Sequence, residues 1–481
     1  MRKRTLLLAA TLTTGLLTAL PATTASAAPA APSGLSGDFN GDGYRDVVLG
    51  APLAKVAGRS GAGYVAVVYG TASGLDTGKR QIIGQDTAGI PGVPESGDHF
   101  GDRLTTGDLD GDGYTDIVVG VHGERIGSTD DFGVLTILWG GASGIASGTD
   151  VKSPLPQGLS ELGWSVAAAD FNGDGATDLA AASVSSPALN IWNGPFSRAG
   201  EVLEVKSIDT QDETGVSTDK LVAGDVTGDG IAELLVLGQE EISGGGHRTR
   251  GVLYKGYPSG PWRDSKLAGG YDAVIADVDK DGYGDIVTGN FMEKSADEPN
   301  GGPGGAITVT YGAADGLSTR TPVRITQDTT GVPGAAEKND AFGWSLAAGD
   351  TDGDGYADIA VGVANEDLSG KRDAGSVVVL RGSASGLTGR DARSFSQDTA
   401  GVPGAAESYD YFGHAVFLTD VNKDGRAELI TSARGENDGA GSAWTLRGTF
   451  AGTTATGART FAGPTLGGPA GLAYFGDVLT G

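Results

Sequence analysis

Acidic side chains recur in this chain at a spacing that suits a hard cation. The phrase DFNGDGYRD occupies positions 38–46, and DLDGDGYTD repeats it at 108–116. Oxygen-bearing side chains at phrase positions 1, 3, 5 and 9, a glycine at 6 for the sharp turn and a backbone carbonyl at 7 can wrap one ion of calcium size. Asp38, Asn40, Asp42 and Asp46 form the first such set, and Asp108, Asp110, Asp112 and Asp116 the second. Asp170, Asn172, Asp174 and Asp178 make the third; Asp225, Thr227, Asp229 and Glu233 make the fourth. Thr227 stands where a stronger ligand is usual, so the fourth loop is expected to bind most weakly. The fifth set is Asp277, Asp279, Asp281 and Asp285, the sixth Asp350, Asp352, Asp354 and Asp358, and the seventh Asp420, Asn422, Asp424 and Glu428. About seven Ca²⁺ per chain are expected, in preference to magnesium, which sheds its water reluctantly for such protein cages.

One such phrase alone would be an ordinary surface turn, since Asp, Asn and Gly are turn formers. Seven in register leave little room for that reading. An EF-hand also begins D-x-D-x-D-G, but it requires a glutamate at position 12 and flanking helices. Here no loop has glutamate at position 12, which is for example Leu49, Val119 or Val361, inside apolar runs such as DIVVG and DIAVG that read as buried strands.

The elements that carry these loops follow from their spacing. Successive phrases start 70, 62, 55, 52, 73 and 70 residues apart, room for about four short strands with their turns. Glycine, at 84 of 481 residues, argues against long helices, and 39% hydrophobic content supplies enough apolar material for a core. One repeat is therefore one propeller blade, and the fold class is all-β.

Other residues of the repeat agree. Phe100-Gly101, Phe342-Gly343 and Phe412-Gly413 each lie eight residues before a loop, and Gly50-Ala51-Pro52 follows the first loop. These residues resemble the FG-GAP (VCBS-type) repeat of integrin α-subunit propellers, over roughly residues 36–481. The resemblance implies a seven-bladed β-propeller with calcium loops between the first and second strands of its blades. The third repeat departs from it with Leu162-Gly163, and the fourth and fifth have no Phe-Gly before their loops, so irregular blades are expected there.

The chain ends indicate how the ring closes. YFGDVLTG at 474–481 matches HFGDRLTTG at 99–107, yet the sequence stops before a loop, while the loop at 38–46 has no Phe-Gly strand ahead of it. The C-terminal strand is expected to complete the blade that begins at Asp38.

Residues 1–27 read as a secretory signal: Arg2, Lys3 and Arg4, an apolar stretch to Leu20, and Ala25-Ser26-Ala27 as the cleavage site. A short Ala/Pro-rich lead-in at 28–35 would precede the propeller. The expected location is extracellular, with no membrane span and a monomeric state. No cysteine is present, which excludes disulfide staples and thiolate metal sites. A formal charge of −27, or −30 without the three basic residues of the leader, makes nucleic acid a poor partner.

No catalytic residue and no organic cofactor site is nominated. Of the four histidines, His99 and His414 flank a Phe-Gly and read as packing residues, and His122 and His247 have no partner motif. GWSVA and GWSLA carry Ser165 and Ser345 without the strand-to-helix context of a nucleophile elbow. Binding is the expected role: an adhesion or recognition module for an unknown extracellular protein or glycan. The alternative is a secreted carbohydrate-active enzyme, a polysaccharide lyase or hydrolase, on the same scaffold. The connections at 85–101, 327–343 and 397–413 are near-copies suited to blade packing, whereas those at 123–133, 238–251 and 290–305 differ and are candidate ligand loops. Trp139, Trp192 and Trp444 read as core, and Trp262 as a possible sugar platform.

Overall fold

The apolar run after each acidic phrase is too continuous for a strand with one wet face, and in the computed structural model it is packed on both. The structure describes residues 33–125, 133–151, 161–183, 186–200, 205–242, 246–258 and 262–481. The expected leader at 1–27, the first part of the lead-in, most of the 123–133 connection and the side chain of Trp262 lie outside the described residues. Val47–Ala51, Asp116–Val121, Asp178–Ser183, Asp285–Asn290, Asp358–Val363 and Glu428–Ala433 are buried at every position. Alternate side chains face opposite neighbours. Val48 packs with Phe100 and Ile117, whereas Val47 and Leu49 pack with Val421, Ile430 and Phe475.

Each buried strand is the second of a four-stranded antiparallel sheet, and seven such sheets form the blades of a β-propeller. Blade 2 runs outward through Arg103–Gly107, Asp116–Val121, Val134–Trp139 and Ser147–Asp150. Blade 3 uses Leu162–Ala169, Asp178–Ser183, Ser186–Trp192 and Val205–Asp209. Blade 4 has Lys220–Gly224, Glu233–Ile242, Gly246–Lys255 and Trp262–Ala268, and blade 5 has Asp272–Ala276, Asp285–Asn290, Ala306–Thr310 and Val323–Ile325. Blade 6 comprises Phe342–Gly349, Asp358–Val363, Ser376–Arg381 and Thr388–Phe395, and blade 7 Phe412–Thr419, Glu428–Ala433, Ser442–Arg447 and Thr454–Phe461. In blade 1, Val47–Ala51, Tyr64–Tyr69 and Asp76–Ile83 are joined on the inner side by Leu479–Thr480. The inner strands neighbour one another in a closed cycle.

The core is divided in the same way. Seven apolar clusters among the described residues each draw on two consecutive blades, the last joining blade 7 to blade 1. Trp139, Trp192 and Trp444 lie in these layers at 1% exposure or less. The three blades without Phe-Gly are irregular: blade 3 shifts register between Ser186 and Leu189, blade 4 has two ten-residue strands, and blade 5 ends in a three-residue strand preceded by the small hairpin Gly312–Ala313 and Gly316–Leu317.

The Phe-Gly and Gly-Ala-Pro signatures meet across the blade boundary. A Cβ on Gly50 would stand 1.9 Å from the carbonyl oxygen of Gly101, and one on Gly362 would stand 2.1 Å from that of Gly413. Neighbouring blades thus touch backbone to backbone, while Phe100 and Phe412 are fully buried beside the contact. Gly101, at φ 93°, also needs a conformation that side chains disfavour.

Closure uses the C-terminal strand. Val48 pairs with Thr480 and Leu49 with Leu479, and the amides of Gly50 and Gly476 donate to Val478 (3.0 Å) and Gly50 (2.8 Å). Phe475 is fully buried, edge-on to Phe461 at 6.2 Å. The near-copied connections also tie blades together. Gln85, Gln327 and Gln397 donate to Glu124, Glu366 and Glu436 of the following blade at 2.6, 2.7 and 2.6 Å, and the Trp444 indole donates to Pro403 at 2.8 Å.

Two outcomes follow. Deleting Tyr474 to Gly481 exposes the inner edge of blade 1 and should cause aggregation or a large fall in melting temperature; Phe475→Ala alone should cost about 3–5 kcal/mol, read from denaturant melts. A C-terminal deletion that melts like the parent would show that the strand is not the clasp. Burial, opposed by the glutamine bond, pushes Glu124 and Glu366 up to about 7. Because the folded state holds these protons more tightly, their contribution is fully present below the ordinary value of 4.5 and is lost as pH rises through 7. The Glu124→Gln/Glu366→Gln variant should therefore melt above the parent near pH 8, with the difference shrinking on acidification.

Candidate functional site

In blades 2 to 7 each acidic phrase is a loop joining the inner strand to the second strand; in blade 1 the loop at 38–46 leads into the second strand, and the inner strand beside it is the C-terminal one. Its conformation is held by its own side chains. Asp38 accepts from the amides of Gly41 and Gly43, both at 2.7 Å, and Asp350 accepts from Gly353 and Gly355 at the same distance. Asp108, Asp170 and Asp225 do likewise with their glycines at 2.6–2.9 Å. In the fifth and seventh loops position 4 is Lys280 or Lys423, held at φ 60° and 62°, and Asp277 and Asp420 accept from the amides that follow. The position-5 carboxylates Asp42, Asp112, Asp174, Asp229, Asp281, Asp354 and Asp424 each accept from the amide of position 7, which turns that carbonyl.

Position 9 anchors the loop to the blade. Asp46 is fully buried and accepts from the amide of Phe39 at 2.9 Å and from that of Gly70, just past the third strand, at 2.9 Å. Asp116, Asp178, Asp285 and Asp358 repeat both bonds, to Gly140, Gly194, Gly312 and Gly382 on the strand side. Glu233 and Glu428 span the same place with a longer side chain. Desolvation raises all of them: Asp46 to about 8, Asp116, Glu233, Asp285 and Glu428 to about 7, and Asp178 and Asp358 to about 6. A cation beside such a carboxylate would favour its ionised form.

In three of the predicted sets three carboxylates converge. In Asp108/Asp110/Asp116, Asp277/Asp279/Asp285 and Asp350/Asp352/Asp358, one oxygen of each residue lies within 4.8 Å of the others. The remaining loops place Asn40, Asn172, Thr227 or Asn422 at position 3, so three carboxylates are not available at positions 1, 3 and 9. Two buried oxygens in the loops have no hydrogen-bond partner: Asp279 Oδ1 and Thr227 Oγ1. Orphaned acceptors among carboxylates fit a hard, oxygen-seeking cation, and they occur even in the fourth loop.

The sequence reading overlooked the arginines that reach these loops. Arg198 of blade 3 meets Asp110 at 2.5 Å and Asp112 at 2.6 Å, and Arg320 meets Asp279 at 2.6 Å. Arg381 binds Asp352 and lies 3.1 Å from Asp358. They enter the three loops richest in carboxylate, from strands or turns 41 to 88 residues away or, for Arg381, from the third strand of its own blade. No local spacing signals them.

Comparison with known proteins agrees with this geometry. An FG-GAP repeat model matches residues 30–68, 342–380 and 412–446, and an FG-GAP-like repeat model matches 108–181 and 170–236. The chain is an integrin α-like FG-GAP repeat protein. The FG-GAP propeller is 28% identical over 262 residues to integrin alpha-PS2 of Drosophila melanogaster, 47% of this chain and 18% of that one. It is 35% identical over 118 residues to human integrin alpha-6, 24% of this chain and 9% of that one. It is also 31% identical over 153 residues to phosphatidylinositol-glycan-specific phospholipase D of Rattus norvegicus, 32% of this chain and 18% of that one. The matches thus span less than a fifth of each relative. No helix among the described residues is long and apolar enough to cross a membrane.

If the loops hold metal, the anchor carboxylate should be needed loop by loop. Asp116→Asn should lower the calcium content after equilibration in millimolar calcium by about one ion per chain, with a fall in melting temperature that chelator abolishes. Unchanged calcium by elemental analysis would remove Asp116 from the ligand set.

Proposed function

We propose that this FG-GAP propeller is an exported, calcium-stabilised recognition module for an extracellular protein or glycan. About seven Ca²⁺ would be held by positions 1, 3, 5 and 9 and the position-7 carbonyl of each loop. Bound calcium would neutralise clustered carboxylates at one end of the inner strands, and the loops' own hydrogen bonds already set the backbone for it. The role of the ion in this reading is structural: chains without cysteine cannot staple a ring with disulfides, and a ligand that binds only the folded loops stabilises the fold by mass action.

The observation that carries the recognition reading is the separation of the two ends of the inner strands. The acidic loops occupy their C-terminal ends, while their N-terminal ends converge on a side-chain-lined depression around the axis, bordered by Asp102, Trp164, Lys220, Tyr271, Trp344 and Val478. A rigid ring presenting such a mouth suits ligand capture. Two of the named relatives are integrins, which supports this reading; the third is a phospholipase D specific for phosphatidylinositol glycan, which supports the enzyme alternative.

The enzyme alternative has one observation of its own. His122 lies 2.9 Å from Asp102 and His414 lies 3.0 Å from Asp477 beside that mouth, and an imidazole oriented by a carboxylate is the geometry of a general base. His414 is buried, and desolvation lowers its pKa.

Recognition predicts saturable capture of an extracellular protein or glycan by the calcium-loaded chain, recovered unchanged, with capture weakened by chelator. Release of shortened product from a polysaccharide panel, abolished by His122→Ala, would favour the enzyme.

A further inference from the structure

The axial mouth combines two features that narrow its ligand. The first is an arc of rings running across three blades. Tyr271 and Phe291 have centroids 4.4 Å apart, Phe291 and Trp344 4.8 Å, and Trp344 and His414 5.5 Å. All but His414 are half-buried, so part of each ring remains accessible. Across the mouth, Trp164 lies under the Arg103 guanidinium at 4.6 Å and edge-on to His122 at 5.3 Å.

The second feature is that each basic residue there is already paired with a carboxylate, while Asp219 on the same wall bonds to the Ser217 hydroxyl. Arg103 meets Asp102 at 3.0 Å, Lys220 meets Asp272 at 2.9 Å, and Arg434 and His414 meet Asp477 at 3.4 and 3.0 Å. Against a chain of formal charge −27, this region is nearly balanced, with Arg103, Lys220 and Arg434 set against Asp102, Asp219, Asp272 and Asp477. A cationic ligand would have to compete with Arg103 or Lys220 for its carboxylate, and an anionic one would meet Asp102, Asp272 and Asp477. What the mouth offers freely is aromatic surface beside planar hydrogen-bonding heads whose charge is already matched. Its two lobes, of about 530 and 570 Å³, share Asp102, Arg103, Lys220, Tyr271 and Val478, and each lies within the usual size of small-molecule sites.

We propose that the axial mouth is a binding site for a neutral saccharide, its pyranose faces laid on the Tyr271–Phe291–Trp344 arc and its hydroxyls bonded to Asp102, Arg103, Lys220 and Asp272. A pyranose has an apolar C–H face and a polar hydroxyl rim, which matches that division of surface, and amphipathic aromatic rings suit such a partner. The assignment rests on the recognition reading and gives it a ligand class.

The test is calorimetric titration of the calcium-loaded full chain with xylo-, cello-, manno- and chito-hexaose, beside oligogalacturonate as anionic probe and oligolysine as cationic probe. At least one neutral oligosaccharide should bind more tightly than either charged probe. Trp344→Ala should weaken it by about tenfold or more, as loss of a central aromatic anchor does, while Trp344→Phe retains most of the affinity and serves as the folding control. Phe450→Ser, at a side chain 83% exposed on an outer turn of blade 7, should leave affinity unchanged. Binding that survives Trp344→Ala, tighter binding of a charged probe, or no binding of any neutral oligosaccharide would overturn the proposal. Recognition itself would stand if an extracellular partner were still captured, and would fall with it only if none were.

Discussion

Gly50 and Gly101 meet with no room for a side chain between them, and the packing of blades 1 to 3 and 5 to 7 depends on that contact being repeated. It sets how near one blade can come to the next. The same approach recurs from Gly120 to Gly163, Gly289 to Gly343 and Gly362 to Gly413, so the pairing of blades 2 and 3 survives the loss of phenylalanine at Leu162. With the backbones fixed, the second strand of each blade has both faces covered, which is why it reads as an uninterrupted apolar run. The seven apolar layers are products of neighbouring blades, and none belongs to one blade alone. A ring built in this way has no stable partial form with all its faces covered, which explains the return of the C-terminus to blade 1.

Electrostatics divides the molecule along the direction of the inner strands. At their C-terminal ends carboxylates accumulate, buried at position 9 and lifted by desolvation, and the backbone amides bound to them offset only part of that cost. Arg381 reaches the position-9 carboxylate Asp358, while Arg198 and Arg320 pair with Asp110, Asp112 and Asp279 in the other two densest loops. At the N-terminal ends Arg103, Lys220 and Arg434 pair with Asp102, Asp272 and Asp477. One end therefore favours a cation and the other does not, although the chain is acidic throughout.

Much of this was legible in the residues. Periodic Asp, Asn and Gly at fixed intervals specify loops locally, because each loop is closed by hydrogen bonds among its own nine residues, as Asp38 with Gly41 and Gly43 shows. The length between loops and the apolar runs after them determined four-stranded blades, and the match of 474–481 to 99–107 determined which strand completes the ring. These features depend on neighbours in sequence or on exact repetition, so no coordinates were needed.

The tertiary structure decided what depends on convergence from different blades. Trp164 and Trp344 follow the blade-contact glycines Gly163 and Gly343, and nothing near them in sequence distinguishes a channel ring from a core ring; only the closing of seven inner strands around one axis places Trp344 beside Phe291 and His414. Arg198 likewise meets Asp110 across 88 residues and a blade boundary. The phrase repeated along the chain determined the loops and the ring they build, because its interactions are local. Which side chains meet at the axis was decided by packing, because they approach one another only when every blade is in place.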